Sequence, residues 1–272
     1  MIRKRFKKER GRSVNLETPV LFCDKLQWLK LNWRDSLGTI CSDKYSVRNF
    51  VKERIGDHYL NEVYEVYDNV SEINIDNLPE SFVLKGTHGS GYNLICKDKS
   101  NMDWDKAFKE MRRWLKNNYF WKNREWVYKD IEPKIICEKF LREKDKEALV
   151  DYKFYCFNGV VKYCQVIRGR QTEETIDFYD VNWSIMPFTG LRNLPNSNES
   201  FQKPSKYNEM IELAQNLAKN FPFVRVDFYY VNERIIFGEM TFFPTSGYGS
   251  FYPSEWNKKI GDLLKLPRSR NQ

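Results

Sequence analysis

Hydrophobic positions along the chain recur with two periods, and the switch between them organises it. Over the first 80 residues the pattern is mainly helix and loop. Its clearest helical stretch is DKYSVRNFVKERIG, where Val47, Phe50, Val51 and Ile55 fall on one face and Gly56 follows as a stop. From Ser81 short apolar runs take over, and SFVLK and YNLIC read as strands flanking a glycine-rich loop. Helical spacing returns with Trp104, Phe108, Met111 and Leu115 on one face, and KIICEKFL reads as the next strand. YKFYCF and VVKYCQVI are joined by Asn158-Gly159, a dipeptide that tolerates the positive φ angles of a two-residue hairpin turn. The stretch from Pro187 to Pro204, polar and containing Pro and Asn, reads as a loop. A helix over Tyr207–Ala218 turns Met210, Ile211, Ala214, Leu217 and Ala218 inward, and FVRVDFYYV and RIIFGEMTF form a last strand pair. Helices and strands segregated in this way, with hairpins, predict an α+β fold of mainly antiparallel sheets. A doubly wound parallel sheet does not fit.

The last strand pair constrains its own register. A two-residue turn at Asn232-Glu233 would set Asp227 opposite Gly238 and place Glu239 on the apolar side with Val226. A three-residue turn over 232–234 instead sets Asp227 opposite Glu239 and Arg225 opposite Thr241. Val224, Val226, Phe228, Tyr230, Ile236, Met240 and Phe242 then share the other face. The pattern favours the second arrangement, with one apolar face and one face bearing Arg225, Asp227, Glu239 and Thr241. Two adjacent carboxylates repel unless a cation sits with them, and such oxygen donors suit Mg²⁺ shared with nucleotide phosphates. A solvated face on which Arg225 neutralises Asp227 is the structural alternative. Asp151 and Lys153 share a face of their own strand, where Lys153 is either a phosphate ligand or a surface lysine.

Composition narrows the classes. Of 272 residues 41% are hydrophobic and 16% aromatic, which excludes a wholly disordered chain. Lys plus Arg number 45 against 37 Asp plus Glu, a net charge of +8 that suits a nucleotide, a nucleic acid, an acidic glycan or a membrane surface. His58 and His88 are the only histidines, so a multi-histidine metal site is excluded. The cysteines Cys23, Cys41, Cys96, Cys137, Cys156 and Cys164 form no Cys-x-x-Cys pair and read as buried thiols of a reducing compartment. No signal peptide or apolar span occurs, so a cytoplasmic protein is expected. The basic start MIRKRFKKERGR reads as a solvated tail, free to rest on an anionic surface.

The loop Lys85-Gly86-Thr87-His88-Gly89-Ser90-Gly91 lets backbone N–H groups approach phosphate oxygens, with a lysine at the strand end. It is no Walker A motif, because a short strand and not a helix follows it. An ordinary glycine-containing hairpin remains the alternative.

In this order the segments SDKYSVR (42–48), FVLKGTHGSGYNLICKDKS, DYKFYCFNG, RVDFYY and FGEMTFFP resemble the ATP-grasp enzymes. They are most similar to the ATP-grasp family of teichuronopeptide and capsular polysaccharide biosynthesis, over roughly residues 20–255. The resemblance implies antiparallel sheets gripping ATP. It divides the chain into a helical pre-grasp region (1–80), a glycine-loop lid and hinge (81–141) and a C-terminal core with metal-binding strands (142–272). Lys44 and Lys85 match the two nucleotide-phosphate lysines, with Gly86, His88, Gly89, Ser90 and Gly91 in the flexible loop. Glu138, Lys139, Phe140 and Leu141 match the adenine hinge. Lys153 and Arg225 match residues near the transferred phosphoryl group and the acyl phosphate, and Asp227 and Glu239 match the metal carboxylates. Thr241 stands where many relatives carry Asn, which weakens the second metal position. His88 has no family role and suits a polar loop residue better than a base.

The implied activity is that of an ATP- and Mg²⁺-dependent carboxylate–amine ligase. Its expected partners are an amino acid and a uronic-acid or other carboxylate, free or on a lipid-linked saccharide, with peripheral contact at the inner membrane face and no nucleic acid. Two other classes remain. A kinase-like phosphotransferase lacks its His-Arg-Asp loop here. A nonenzymatic basic module for glycan or nucleic acid would cluster its charges with exposed aromatics, whereas these charges are spread along the chain.

Overall fold

The computed structural model describes residues 1–143, 148–170, 172–197, 199 and 201–267. In chain order the elements are α1 (Ile2–Arg10), α2 (Phe22–Asn32), α3 (Ser36–Ser42), α4 (Val47–Ile55), β1 (Val63–Tyr67), β2 (Phe82–Gly86) and β3 (Asn93–Cys96). Then come α5 (Trp104–Lys116), α6 (Phe120–Asn123), β4 (Ile135–Lys139), β5 (Asp151–Phe157), β6 (Val160–Arg168), β7 (Thr175–Tyr179) and β8 (Thr189–Gly190). The chain ends with α7 (Tyr207–Ala218), β9 (Phe223–Val231), β10 (Arg234–Thr241), β11 (Phe251–Tyr252) and α8 (Trp256–Leu263). Every strand pairing among the described residues is antiparallel, as an α+β chain of hairpins requires.

The chain forms two compact units: Met1–Arg34 with Arg142–Gln272, and Asp35–Leu141. The boundary expected near residue 80 has no counterpart. Residues 1–34 belong with the C-terminal part because Phe22 of α2 packs on Phe157, Phe223 and Phe251, at centroid distances of 6.0, 5.1 and 5.8 Å. Lys25 adds hydrogen bonds from Nζ to the carbonyls of Gly261 and Leu264.

In the unit Asp35–Leu141 the sheet order is β1-β4-β2-β3. Ala107, Met111 and Trp114 of α5 close one face over Phe82, Leu84, Ile135 and Cys137. Val83, Lys85, Ile136 and Glu138 occupy the other face by alternation. β1 was not anticipated from the sequence, since VYEVY lacks apolar–polar alternation and its pairing with β4 is irregular between Val63 and Glu65.

In the other unit the order is β10-β9-β5-β6-β7. α7 covers one face, and its Tyr207 lies 5.7 Å from Phe154. β7 also escaped sequence reading. The loop expected over 187–204 contains the short β8, and positions 198 and 200 lie outside the described residues. The Asn158-Gly159 turn has φ of 48° and 84°, the left-handed pair that joins β5 to β6 without splaying them.

The β9–β10 hairpin corrects the sequence reading in one detail. The turn is the two-residue Asn232-Glu233, with φ of 50° and 59°, and not a three-residue turn. A bulge at Gly238 then shifts the register, so that Asp227 still faces Glu239 and Arg225 still faces Thr241. A Cβ at position 238 would come within 3.1 Å of the Asp227 carbonyl, which explains the glycine at the bulge. Beyond the bulge the faces exchange. Phe237 sits opposite Phe228 on the apolar side, and Ile236 sits opposite Tyr229 instead of joining that side.

The N-terminal segment is likewise no solvated tail. Residues 2–10 are helical, and Phe6 is fully buried against Val14 and Cys23. All six cysteines are buried free thiols.

Candidate active site

Odd-numbered positions of β5 and β9 share one face of the five-stranded sheet. At one end Phe157 and Phe223 lie under Phe22 of α2 and make that end dry. Moving along the strands, Tyr155 pairs with Arg225, Lys153 with Asp227 and Asp151 with Tyr229. β10 adds Glu239 beside Asp227 and Thr241 beside Arg225. The hairpin and its bulge thus bring Lys153, Arg225, Asp227, Glu239 and Thr241 together.

This face is charged and mostly buried: Asp151, Lys153 and Asp227 are 3%, 5% and 4% exposed. Arg225 grips Asp227 with two bonds, Nε to Oδ1 at 2.7 Å and Nη2 to Oδ2 at 2.6 Å. The same Nη2 reaches Glu239 Oε1 at 3.2 Å and Thr241 Oγ1 at 3.0 Å. Lys153 donates to Asp227 and lies 3.0 Å from Asp151, which also accepts from Arg170 Nε. Burial alone would raise the Asp151 carboxyl, but Lys153 and Arg170 outweigh it and hold the group below the usual carboxylate range. Burial also opposes the charge on Arg225, yet Asp227 leads the groups that keep it protonated above its ordinary value. The alternative of a solvated face is therefore corrected: Arg225 does neutralise Asp227, but inside the protein.

Among the described residues Asp151, Asp227 and Glu239 form ion pairs with Lys153, Arg170 and Arg225, three acids to three bases. A divalent cation fits the donor set, because two adjacent carboxylates and a hydroxyl are hard oxygen ligands. Among the described residues no cluster of three or more His, Cys, Asp or Glu side chains could form an all-protein cage. The remaining ligands would have to be phosphate and water, which is how Mg²⁺ is ordinarily held beside nucleotides.

The other unit carries the remaining candidates. Asp43 Oδ1 caps the turn after α3 by accepting from the amides of Tyr45 and Ser46, which aims Lys44. The Lys44 amide bonds to the Thr87 carbonyl at 3.2 Å, and its Nζ donates to the Gly89 carbonyl. Lys85, next to last in β2, donates to Glu138 Oε2 of neighbouring β4 at 2.6 Å. Burial would raise the Glu138 carboxyl, but Lys85 first, then Arg48 and Asn61, hold it below its usual range. The Lys139 amide donates to Glu62, and its carbonyl accepts from Asn61. Ring-edge contacts of an adenine hinge would thus fall to Phe140 and Leu141, beyond the strand.

The glycine loop joins β2 to β3, but most of it is packed. Only Ser90 and Gly91 are exposed; Gly86 and Gly89 are buried. His88, expected among the nucleotide-contacting positions, is 1% exposed, and its Nε2–H donates to the Trp114 carbonyl at 2.9 Å. Burial lowers its pKa, and this buried bond to Trp114 makes it an anchor of the loop instead of a phosphate contact. A Cβ on Gly89 would come within 2.8 Å of Tyr119 and 2.9 Å of Tyr92, both rigid rings. Gly89→Ala should therefore destabilise the protein by about 1–3 kcal/mol through overpacking. Ser90→Ala should leave the melting temperature within a degree or two; equal melting temperatures for both variants would refute the packing argument.

Sequence reasoning missed Arg170, Arg48 and Asn61 as members of these clusters. Arg48 closes the SDKYSVR segment, but only the fold sets it near Glu138, Arg170 against Asp151 and Asn61 against Lys139.

The family model described as TupA-like ATPgrasp matches residues 24–265. Among solved structures, the D-alanine–D-alanine ligase of Bacillus anthracis complexed with ATP is similar at 14% identity over 83% of this chain and 63% of that one, with a TM-score of 0.46. The D-alanine–D-alanine ligase of Helicobacter pylori is similar at 14% identity over 90% and 69%, with a TM-score of 0.45. The ATP-grasp ligase PsnB, complexed with minimal precursor, Mg and ADP, is similar at 9% identity over 84% and 59%, with a TM-score of 0.45. The chain thus spans less than two thirds of the length of the Bacillus anthracis ligase. A comparison with curated proteins finds no significant match.

Proposed function

Since the chain belongs to the TupA-like ATP-grasp family, we propose that it is an ADP-forming ligase that joins a carboxylate to an amine. The carboxylate oxygen attacks the terminal phosphorus of ATP and ADP leaves; the amine then displaces phosphate from the acyl phosphate to give the amide. The proposed substrates are an amino acid and a uronic-acid or other carboxylate of a surface polysaccharide, free or lipid-linked.

The observation that carries this reading is the charged face of β5, β9 and β10. Asp227 and Glu239 are the proposed metal carboxylates, with Thr241 as a weaker donor. Bound there with nucleotide, Mg²⁺ would supply charge neutralisation on the transferring phosphoryl group. Arg225 and Lys153 are proposed to hold the phosphoryl oxygens. Both lie beside the carboxylates in ion pairs with Asp227, from which they would turn toward the phosphoryl oxygens as metal and nucleotide bind. Lys44 and Lys85 are proposed to bind the nucleotide phosphates, with the exposed backbone of Ser90 and Gly91. Glu138 and the backbone of Phe140 and Leu141 are proposed to bind adenine. The balanced charges of the metal face add a requirement. A lone divalent cation would leave that face at +2, so the metal is expected to bind together with the polyanionic nucleotide.

Thermal melts test the nucleotide step. Mg-ATP at 100 times its Kd should stabilise the protein by about 2.7 kcal/mol, while Mg²⁺ without nucleotide should shift the melt little. No shift with millimolar Mg-ATP would refute the reading. ADP release, screened across uronic acids and amino acids, tests the substrates.

A further inference from the structure

The N-terminal helix α1 uses up its apolar residues in docking. Phe6 is fully buried and Ile2 is 9% exposed. The Phe6 ring lies 6.2 Å from Tyr248, and the Arg12 guanidinium sits 5.0 Å over it. Gly11, at φ 65°, caps the helix, and Arg12 ties the following turn to the buried Asp24 at 3.1 Å. Glu9, the one acidic residue of the helix, pairs with Arg5 at 3.6 Å.

What remains is a cationic face. Arg3, Lys4, Lys7 and Lys8 are all exposed, and none forms an ion pair with the described residues. Arg3 stacks on Lys7, and Lys4 on Lys8, one helical turn apart. Each such like-charge pair is unfavourable, and Arg3 and Lys4 also sit in the first turn, where the helix dipole disfavours cations. The first turn contains no acid to offset them. Lys7 and Lys8 lie in the last turn, where the dipole favours cations, but helix stability gives no reason for Arg3 and Lys4, and an external polyanion accounts for all four.

We propose that the exposed face of α1 docks the protein on an anionic lipid surface. The helix lacks aromatic, Asn or Gln side chains on that face that could stack on bases or read their edges. Met1, 68% exposed at the helix start, offers a flexible apolar side chain beside the cations. Insertion is not expected, since Ile2 and Phe6 are consumed by the protein and no described helix is long and apolar enough to cross a membrane. The contact is therefore peripheral, electrostatic and reversible. It stands independently of the proposed ligase chemistry.

Vesicle co-sedimentation tests it, with phosphatidylcholine vesicles containing 30% phosphatidylglycerol against phosphatidylcholine alone. The full chain should bind the anionic vesicles at low salt, release at high salt and ignore the neutral ones. Each basic residue near such a surface is worth about fivefold in partitioning. The variant R3Q/K4Q/K7Q/K8Q should thus lose at least about 100-fold, with its melting temperature unchanged or raised. Should that variant misfold, K4Q/K7Q carries the test with an expected loss of about 25-fold. Absent binding, equal binding to neutral vesicles, or retained binding by a folded variant overturns the proposal. Displacement from vesicles by duplex DNA at equal anion concentration also overturns it, and assigns the face to nucleic acid.

Discussion

Asp227→Asn should lower the melting temperature of the metal-free protein by about 10 °C and abolish stabilisation by Mg-ATP. With Asp227 and Glu239 considered alone, an amide in place of one of two adjacent carboxylates should relieve repulsion and leave stability level or higher. The structure reverses that expectation. Asp227 is 4% exposed and is the counterion of two buried cations, gripped by Arg225 at 2.6 and 2.7 Å and also paired with Lys153. Removing one partner from a buried ion pair costs about 3–5 kcal/mol, because the charge left behind is uncompensated. At about 2–4 °C per kcal/mol, that is a large shift in melting. Glu239→Gln should behave differently. Its side chain is 40% exposed with Arg225 at 3.2 Å, so stability should change by no more than about 1 kcal/mol. Its Mg-ATP shift should nonetheless vanish, as for Asp227→Asn. Thermal melts with and without Mg-ATP separate the two effects. Retention of a full Mg-ATP shift by either variant would sink the metal assignment.

Lys85→Met should weaken ADP and ATP binding by about tenfold to a hundredfold, the worth of one charge-assisted hydrogen bond to a phosphate. It should also make the protein more acid-sensitive. Glu138 is held below its usual pKa although burial opposes this, chiefly by Lys85. A depressed carboxyl contributes stability above its unfolded pKa and loses it as pH falls through the folded value. Without Lys85 the depression shrinks, so that stability is smaller at neutral pH and is lost at a higher pH on acidification. Lys99→Ala is the matched control. Lys99 bonds to the Leu78 carbonyl at 2.7 Å and neighbours Glu80, so its loss should leave nucleotide affinity unchanged. Calorimetric titration of ADP into each variant, with melts across pH 3–7, checks both claims. Equal losses of affinity in the two variants would point to bulk charge and not to a phosphate site.

Much of this site could be read before folding. The Asn158-Gly159 dipeptide specifies its hairpin by backbone sterics alone, and the observed φ angles are those it favours. The pairing of Asp227 with Glu239 follows from keeping one face apolar, because a slip of one residue would move Glu239 onto the apolar face with Val226. The route to that pairing was not legible. A three-residue turn and a two-residue turn with a bulge place Asp227 and Glu239 identically, and they differ only in what happens to Ile236 and Phe237. His88 shows the same limit. A histidine in a glycine loop is polar by composition, but its burial depends on Trp114, 26 residues away on α5.

The chain's own pattern determined the elements with a strong local period: α4, α5, α7, the strand pairs, and the family to which their order belongs. These depend on backbone preferences and side-chain spacing within a few residues, which a sequence displays directly. Tertiary structure alone decided which charges are buried, where the chain divides and whether the basic N-terminus is free. Asp227 is an internal counterion because β5 delivers Lys153 from 74 positions away. Residues 1–34 join the C-terminal unit because Phe22 finds Phe157, Phe223 and Phe251. α1 is docked because Phe6 finds Tyr248. In each case the free energy comes from burying a side chain against partners distant in sequence, and local pattern carries no record of which partner will arrive.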